Sequence, residues 1–188
     1  MQVRNLIVGA LLFSCTGHVN AQSLTLRVDN IDQIVDSMTL EEKVNLLVGR
    51  NDYLFGGYEK LDKAPRVMDS SISGFTQVIP RLGIPATGLA DGPAGAVVVT
   101  RPDSKKNYYA TGFPIGSLLA CSWNTGLVET IGQAIGNEIL EYGVDVVLAP
   151  GMNIHRSPLC GRNYEYFSED PVLTGKIAAA YIRGVQSN

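Results

Sequence analysis

Between residues 147 and 171 the chain reads VLAPGMNIHRSPLCGRNYEYFSEDP. An apolar run stops at Pro150 and gives way to groups that can grip a polar ligand: Asn153, His155, Arg156, Arg162, Asn163, Tyr164, Glu165, Glu169 and Asp170. A loop with a purely structural duty would carry more Ser and Gly and fewer bulky hydrogen-bonding side chains. A further carboxylate stands upstream, where a short apolar segment ends in Asp91-Gly92-Pro93-Ala94-Gly95. A carboxylate at the end of a strand, followed by a glycine-rich turn, is one way to present a ligand-binding group. The same residues also suit an Asx turn in which Asp91 bonds its own backbone. The glycines do not form a phosphate cradle. Neither G-x-G-x-x-G nor G-x-x-x-x-G-K-[ST] is present, which sets nucleotides aside.

The elements needed to position these groups are also legible. Pro171 opens a helical pattern with Asp170 as its cap, so the polar loop leaves the end of a strand and enters a helix. In parallel α/β folds that edge is where ligands bind. The helix runs to about Gln186, with Leu173, Ile177 and Tyr181 along one side. Asn124 starts another helix, in which Leu127, Ile131, Ala134, Ile135 and Ile139 form an apolar stripe and Glu138 is its one charged member; Gly143 ends it. Residues 144–149 predict a strand buried on both faces. Residues 86–90 and 115–120 are shorter apolar pieces, expected as strands. Nearer the N-terminus, residues 30–49 predict two helices. Ile31, Ile34, Val35 and Met38 form the stripe of the first. Thr39 and Glu42 make a capping box for the second, whose buried face is Leu40, Val44, Leu47 and Val48 and whose stop is Gly49.

Residues 50–80 and 98–112 are broken by glycine, proline and polar groups and predict loops. The first holds Tyr53, Phe55, Tyr58 and Phe75, whose rings either stack on the C–H face of a ligand such as a sugar or simply anchor the loop. The second holds Lys105, Lys106, Tyr108 and Tyr109. Strands alternating with helices make a parallel sheet with helices outside, an α/β fold. About three strands fit here, whereas a closed (β/α)8 barrel takes eight and typically about 250 residues. The expectation is the truncated N-terminal part of such a TIM-like barrel.

With 188 residues, 45% of them hydrophobic and 18% charged, the chain suits one modest domain with a proper core. A net charge of −3 without a basic run excludes nucleic acid and anionic membrane as expected partners. Arg4, the apolar run 6–13 and the small residues Val19-Asn20-Ala21 predict a signal peptide over residues 1–21, and an exported mature domain over residues 22–188, periplasmic or secreted. Leu12-Phe13-Ser14-Cys15 offers a lipoprotein box as the alternative, to which Phe13 fits poorly, so membrane contact is expected only if Cys15 is lipidated. Cys121 and Cys160 are too few for a disulfide framework and are expected as two buried or half-buried thiols. No metal is expected, because only His155 lies near Cys160.

The segments LADGPAG, ATGFP, LLACSWN, LAPGMNIHRSPLCGRNYEYFSEDP and IRGVQ resemble the N-terminal part of glycoside hydrolase family 3, over residues 32–188. Bacterial β-glucosidases are its most frequent members. The resemblance implies a barrel followed by an α/β sandwich, and removal of terminal β-linked sugars with retention, without a cofactor. It implies that Asp91 and Arg162 bind hydroxyls of the terminal sugar, and that the Lys-His pair, the nucleophilic Asp and the acid/base carboxylate all lie beyond these residues. One departure is Val97, where many relatives carry Arg; it is expected to reshape that loop and bear on substrate preference.

The chemistry of the side chains agrees with those roles. A carboxylate accepts from two neighbouring hydroxyls of a pyranose, and a guanidinium donates from a rigid fork. Glu165 is placed to orient Arg162, Glu169 to pair with Arg156 or Arg162, and Asp170 to cap a helix. No catalytic residue is expected within the chain. The substrate-binding set is Asp91, Arg162 and Glu165, and the partner a small β-glucoside or oligosaccharide. The alternatives are a β-xylosidase or β-N-acetylhexosaminidase of the same family, or a non-catalytic sugar-binding remnant.

Overall fold

The computed structural model describes residues 24–49, 70–71, 73–100 and 108–188. The first two helices are set by local hydrogen bonds. Helix α1 spans Ile31–Ser37 and α2 spans Leu40–Val48. At the start of α2 the Thr39 hydroxyl accepts from the Glu42 N–H at 3.1 Å, and the Glu42 carboxylate accepts from the Thr39 N–H at 2.8 Å. That is the capping box expected from T-x-x-E. Arg81, in a 3-10 turn Pro80–Leu82, pairs with the same carboxylate and donates to the Ser37 carbonyl at 2.9 Å.

This ion pair lies on the side of α2 that faces inward. Glu42 and Leu46 lie one turn apart on one face, and Leu46 packs beside a small core of Ile34, Met38, Ile79 and Leu82. Leu40, Val44, Leu47 and Val48, expected as the buried face, are exposed instead, as are Ile31 and Val35 of α1.

The Arg81 guanidinium and the Thr39 N–H together lower the pKa of Glu42 from 4.5 to about 2. A depressed carboxylate adds stability that is complete above the unfolded value and is lost as pH falls through the folded one. The contribution should therefore be present above about pH 4.5 and fade toward pH 2. Acid unfolding of Arg81→Gln should lack this component of the pH dependence; identical acid profiles for variant and wild type would contradict it.

Five short strands follow. Strand β1 (Ser70–Ser71) pairs antiparallel with β4 (Val99–Thr100). The main sheet has the order β2 (Gly74–Phe75), β3 (Gly88–Asp91), β5 (Val146–Leu148). Strands β2 and β3 are antiparallel, while β3 and β5 run parallel with Leu89, Ala90 and Asp91 opposite Val146, Val147 and Leu148. The crossover between the parallel strands holds α3 (Gly116–Cys121) and α4 (Thr125–Glu141), and α5 (Pro171–Val185) comes last. Asn124 caps α4 by accepting from the Leu127 N–H at 3.0 Å, and Asp170 caps α5 by accepting from the Val172 N–H at 2.8 Å.

Residues 115–120 do not form the expected strand. Leu119 and Ala120 are both buried while Leu118 is exposed, a helical pattern rather than an alternating one. A six-residue apolar run cannot be assigned by periodicity alone, and Leu and Ala favour helix once no neighbouring strand recruits them.

The core lies between the sheet and the helices. Ala90 and Val147 face it, together with Val128, Ile135 and Ile139 of α4 and Ile177, Ala178, Ala180 and Tyr181 of α5. Helices α4 and α5 touch backbone to backbone. A Cβ on Gly184 would stand 2.2 Å from the Glu129 carbonyl oxygen, and one on Gly132 2.5 Å from that of Tyr181. Strand β5 is not buried on both faces as expected: Val146 and Leu148 are exposed, because among the described residues helices cover only the Val147 side.

Candidate functional site

The alternation of side chains along a strand sends Asp91 and Leu148 to the face opposite Ala90 and Val147, at the C-terminal end of the parallel pair. The Asp91 N–H donates to the Ser73 hydroxyl at 2.8 Å, and its carbonyl accepts from the Val97 N–H at 2.9 Å. The backbone of Asp91 is thus pinned on both sides of the turn 92–96. Gly92 is required in that turn, since a Cβ there would meet the Gly95 carbonyl oxygen at 2.0 Å. Among the described residues the Asp91 carboxylate has no hydrogen-bond partner, so the Asx turn is not formed and the charge is free for a ligand.

The second wall is built by the segment after β5. The Asn163 side chain donates to the Ser157 carbonyl at 2.8 Å, and the Asn163 N–H to the Cys160 carbonyl at 3.2 Å. A 3-10 turn, Asn163–Glu165, follows, and Tyr166 and Phe167 then anchor the segment in the interior. Helix α3 supports it from behind. The Ser117 hydroxyl donates to the Tyr164 carbonyl at 3.2 Å, and a Cβ on Gly116 would lie 2.4 Å from the Glu165 carbonyl oxygen. Arg162 Nε pairs with Glu165 Oε1, whose side chain is only 13% exposed against 73% for that of Arg162. The buried carboxylate holds the guanidinium and raises its pKa further, leaving the remaining N–H donors in solvent. The partner of Arg162 is therefore Glu165 and not Glu169.

Asp91, Arg162 and Glu165 line one cleft of about 560 Å³, within the usual range for small-ligand sites. Tyr164, Leu148, Ile115, Val97 and the backbone of residues 92–96 complete it, with Ala110, Thr111 and Gly112 on the third side. That third side is tied to α4. Thr111 donates its N–H at 3.1 Å and its hydroxyl at 2.7 Å to the Glu138 carboxylate, and the Phe113 N–H reaches the Ala94 carbonyl at 2.8 Å. Glu138, the charged member of an apolar stripe, owes its place to this bond. Thr111 and Gly112 were not legible as cleft residues from charge or spacing; their only signal is the ATGFP segment. The cleft offers a free carboxylate and a fixed guanidinium across a partly apolar floor, the equipment for a polyhydroxylated ligand with C–H faces.

Other singled-out residues have different duties. Asn153, His155, Arg156 and Glu169 stand outside the cleft lining. The Nε2 of His155 is buried without a hydrogen-bond partner among the described residues, its ring 6.3 Å from that of Tyr166. Tyr108 packs edge-on against Tyr142 at 6.2 Å, and the Tyr142 hydroxyl donates to the Tyr109 carbonyl, so this aromatic pair anchors its loop. Cys121 and Cys160 are free and exposed rather than buried, at a helix end and in the polar loop. Tyr53, Phe55, Tyr58, Lys105, Lys106 and residues 1–21 lie outside the described residues.

Residues 62–188 match the sequence model described as the glycosyl hydrolase family 3 N-terminal domain. The chain belongs to glycosyl hydrolase family 3. It is 41% identical over 163 residues to thermostable β-glucosidase B of Acetivibrio thermocellus, with 84% of this chain and 19% of that protein covered. It is 40% identical over 158 residues to β-glucosidase B of Emericella nidulans, covering 84% of this chain and 16% of the relative. Among solved structures, the family 3 chain superposes on β-glucosidase 3B of Thermotoga neapolitana in complex with glucose, at a TM-score of 0.70 and 50% identity, over 83% of this chain and 21% of that one. The chain thus spans between about a sixth and a fifth of the length of these relatives.

Proposed function

We propose that this family 3 chain forms the sugar-gripping part of an exported, retaining β-glucosidase-like hydrolase, with its helices and parallel strands belonging to a (β/α)8 barrel. The observation that carries the reading is the convergence of Asp91 and Arg162 on one cleft, the carboxylate of the first without a hydrogen-bond partner among the described residues and the second oriented by Glu165. Asp91 accepts from two adjacent hydroxyls of the terminal sugar, and Arg162 donates to the same ring. Supporting it, the relatives are named as β-glucosidases and one of the solved structures contains glucose.

Retention requires two carboxyl groups about 5–5.5 Å apart on opposite sides of the glycosidic bond. Glu165 is committed to Arg162, and Asp170 to its helix. As the resemblance to family 3 implies, we assign the nucleophile and the acid/base to the protein outside these residues, and export to the apolar N-terminal run. In the test, the intact protein hydrolyses an aryl β-glucoside and proton NMR shows the β-anomer of glucose forming first, while residues 22–188 alone give no turnover. Appearance of the α-anomer first, or turnover by residues 22–188 alone, would overturn the assignment.

A further inference from the structure

Helix α5 begins at the Asp170 cap, directly after the loop that carries Arg162 and Glu165. Three turns later it presents Tyr181, which is 1% exposed. The Tyr181 hydroxyl donates to the Gly92 carbonyl at 3.3 Å, with the Pro93 carbonyl at 3.5 Å. These carbonyls belong to the residues immediately after Asp91. One helix therefore leads directly out of the Arg162 loop and bonds the Asp91 turn from behind. We propose that Tyr181 is a positioning residue, whose buried hydroxyl sets the place of the Asp91 carboxylate relative to Arg162.

Three observations carry this beyond packing. The hydroxyl sits in an apolar core between two helices and a sheet, where an unbonded O–H would be costly, so the bond to the turn is its means of being satisfied. The turn it holds has little slack: the Gly92 carbonyl also accepts from the Gly95 N–H at 3.3 Å, and the Asp91 carbonyl from the Val97 N–H at 2.9 Å. Burial pushes the Tyr181 phenol up to about 12, so it remains a donor throughout the working range of a hydrolase. Misplacing a gripping group by a fraction of an ångström weakens the transition state more than the ground state, because the reacting geometry tolerates less error.

The inference rests on the reading of Asp91 as a sugar ligand, and the experiment separates the two. Tyr181→Phe, Asp91→Ala and the double variant of the intact protein are assayed on an aryl β-glucoside. Tyr181→Phe should lower kcat/KM by about tenfold, mostly in kcat. In the Asp91→Ala background the same change should have an effect within twofold of none, because no carboxylate is left to position. If Asp91→Ala is itself silent, the sugar-ligand reading falls and the proposal with it. If Asp91→Ala is damaging and Tyr181→Phe is silent, the proposal alone falls. An equal tenfold loss in both backgrounds, or loss of fold and turnover together, shows a role in folding only and also overturns it.

Discussion

Asp91→Ala should lower kcat/KM for a β-glucoside by 10²-fold or more, as an order-of-magnitude expectation. Among the described residues the carboxylate at the end of β3 has no hydrogen-bond partner. A hydrogen bond to a charged group contributes about 1.5–3 kcal/mol, and Asp91 is placed to accept two. Every 1.36 kcal/mol is a factor of ten in rate. Two such bonds therefore correspond to roughly 10²–10⁴-fold, and the lower end applies because Asp91 is solvent-exposed among the described residues. The variant keeps the turn 92–96, whose hydrogen bonds among the described residues use backbone groups, Ser73 and Tyr181 but not the Asp91 side chain, so folding should be undisturbed. Arg162→Ala should also reduce activity. Steady-state kinetics check both; activity of Asp91→Ala within twofold of wild type would remove it from the site.

A large effect on stability is expected from a single methyl group on α5. In Gly184→Ala the new Cβ would meet the Glu129 carbonyl oxygen at 2.2 Å and the Gln133 nitrogen at 2.9 Å. Both are backbone atoms of α4, so no side chain can swing aside and the helices must separate. Overpacking of this kind costs about 3 kcal/mol, at the upper end of its usual range. The opposing term is helix propensity, which favours Ala over Gly by about 1 kcal/mol. The collision wins, leaving a net loss of roughly 2 kcal/mol. Gly175 supplies the control on the same helix: nothing lies within 4 Å of its Cβ position. Gly175→Ala should therefore stabilise by about 1 kcal/mol. Denaturant unfolding of both variants should move their midpoints in opposite directions; a shift of both the same way would show that the helix contact is not as close as described.

What could be read from the chain divides along the range of the interactions. Thr39 with Glu42, Asn124 and Asp170 each complete a bond within three residues, so their caps were legible from spacing alone. The inward side of α2 was not. Its contacts are with Arg81, 39 residues from Glu42, and a small core around Ile79 and Leu82, whereas hydropathy along the helix points to the other side. Residues 115–120 carry too few positions to separate a strand from a helix. In the cleft, Asp91 stood out as a carboxylate at a strand end before a glycine-rich turn, whereas Arg162 was one of several polar groups in its loop and was singled out by the resemblance to family 3. Glu165 could be read as a partner of Arg162 because the two are three residues apart. The supports behind them, Thr111 with Glu138 and Tyr181 with Gly92, join residues 27 and 89 apart and became visible only in the folded chain.

If Asp91 and Arg162 hold the same sugar ring, a crystal structure of the intact protein soaked with glucose will show both on one glucose. Two adjacent glucose hydroxyls should lie within about 2.5–3.0 Å of the Asp91 carboxylate oxygens, and an Arg162 guanidinium nitrogen within about 3.2 Å of the same ring, with Glu165 still on Arg162. Glucose bound elsewhere, or bound in the cleft with Asp91 and Arg162 both beyond hydrogen-bond reach, would contradict it.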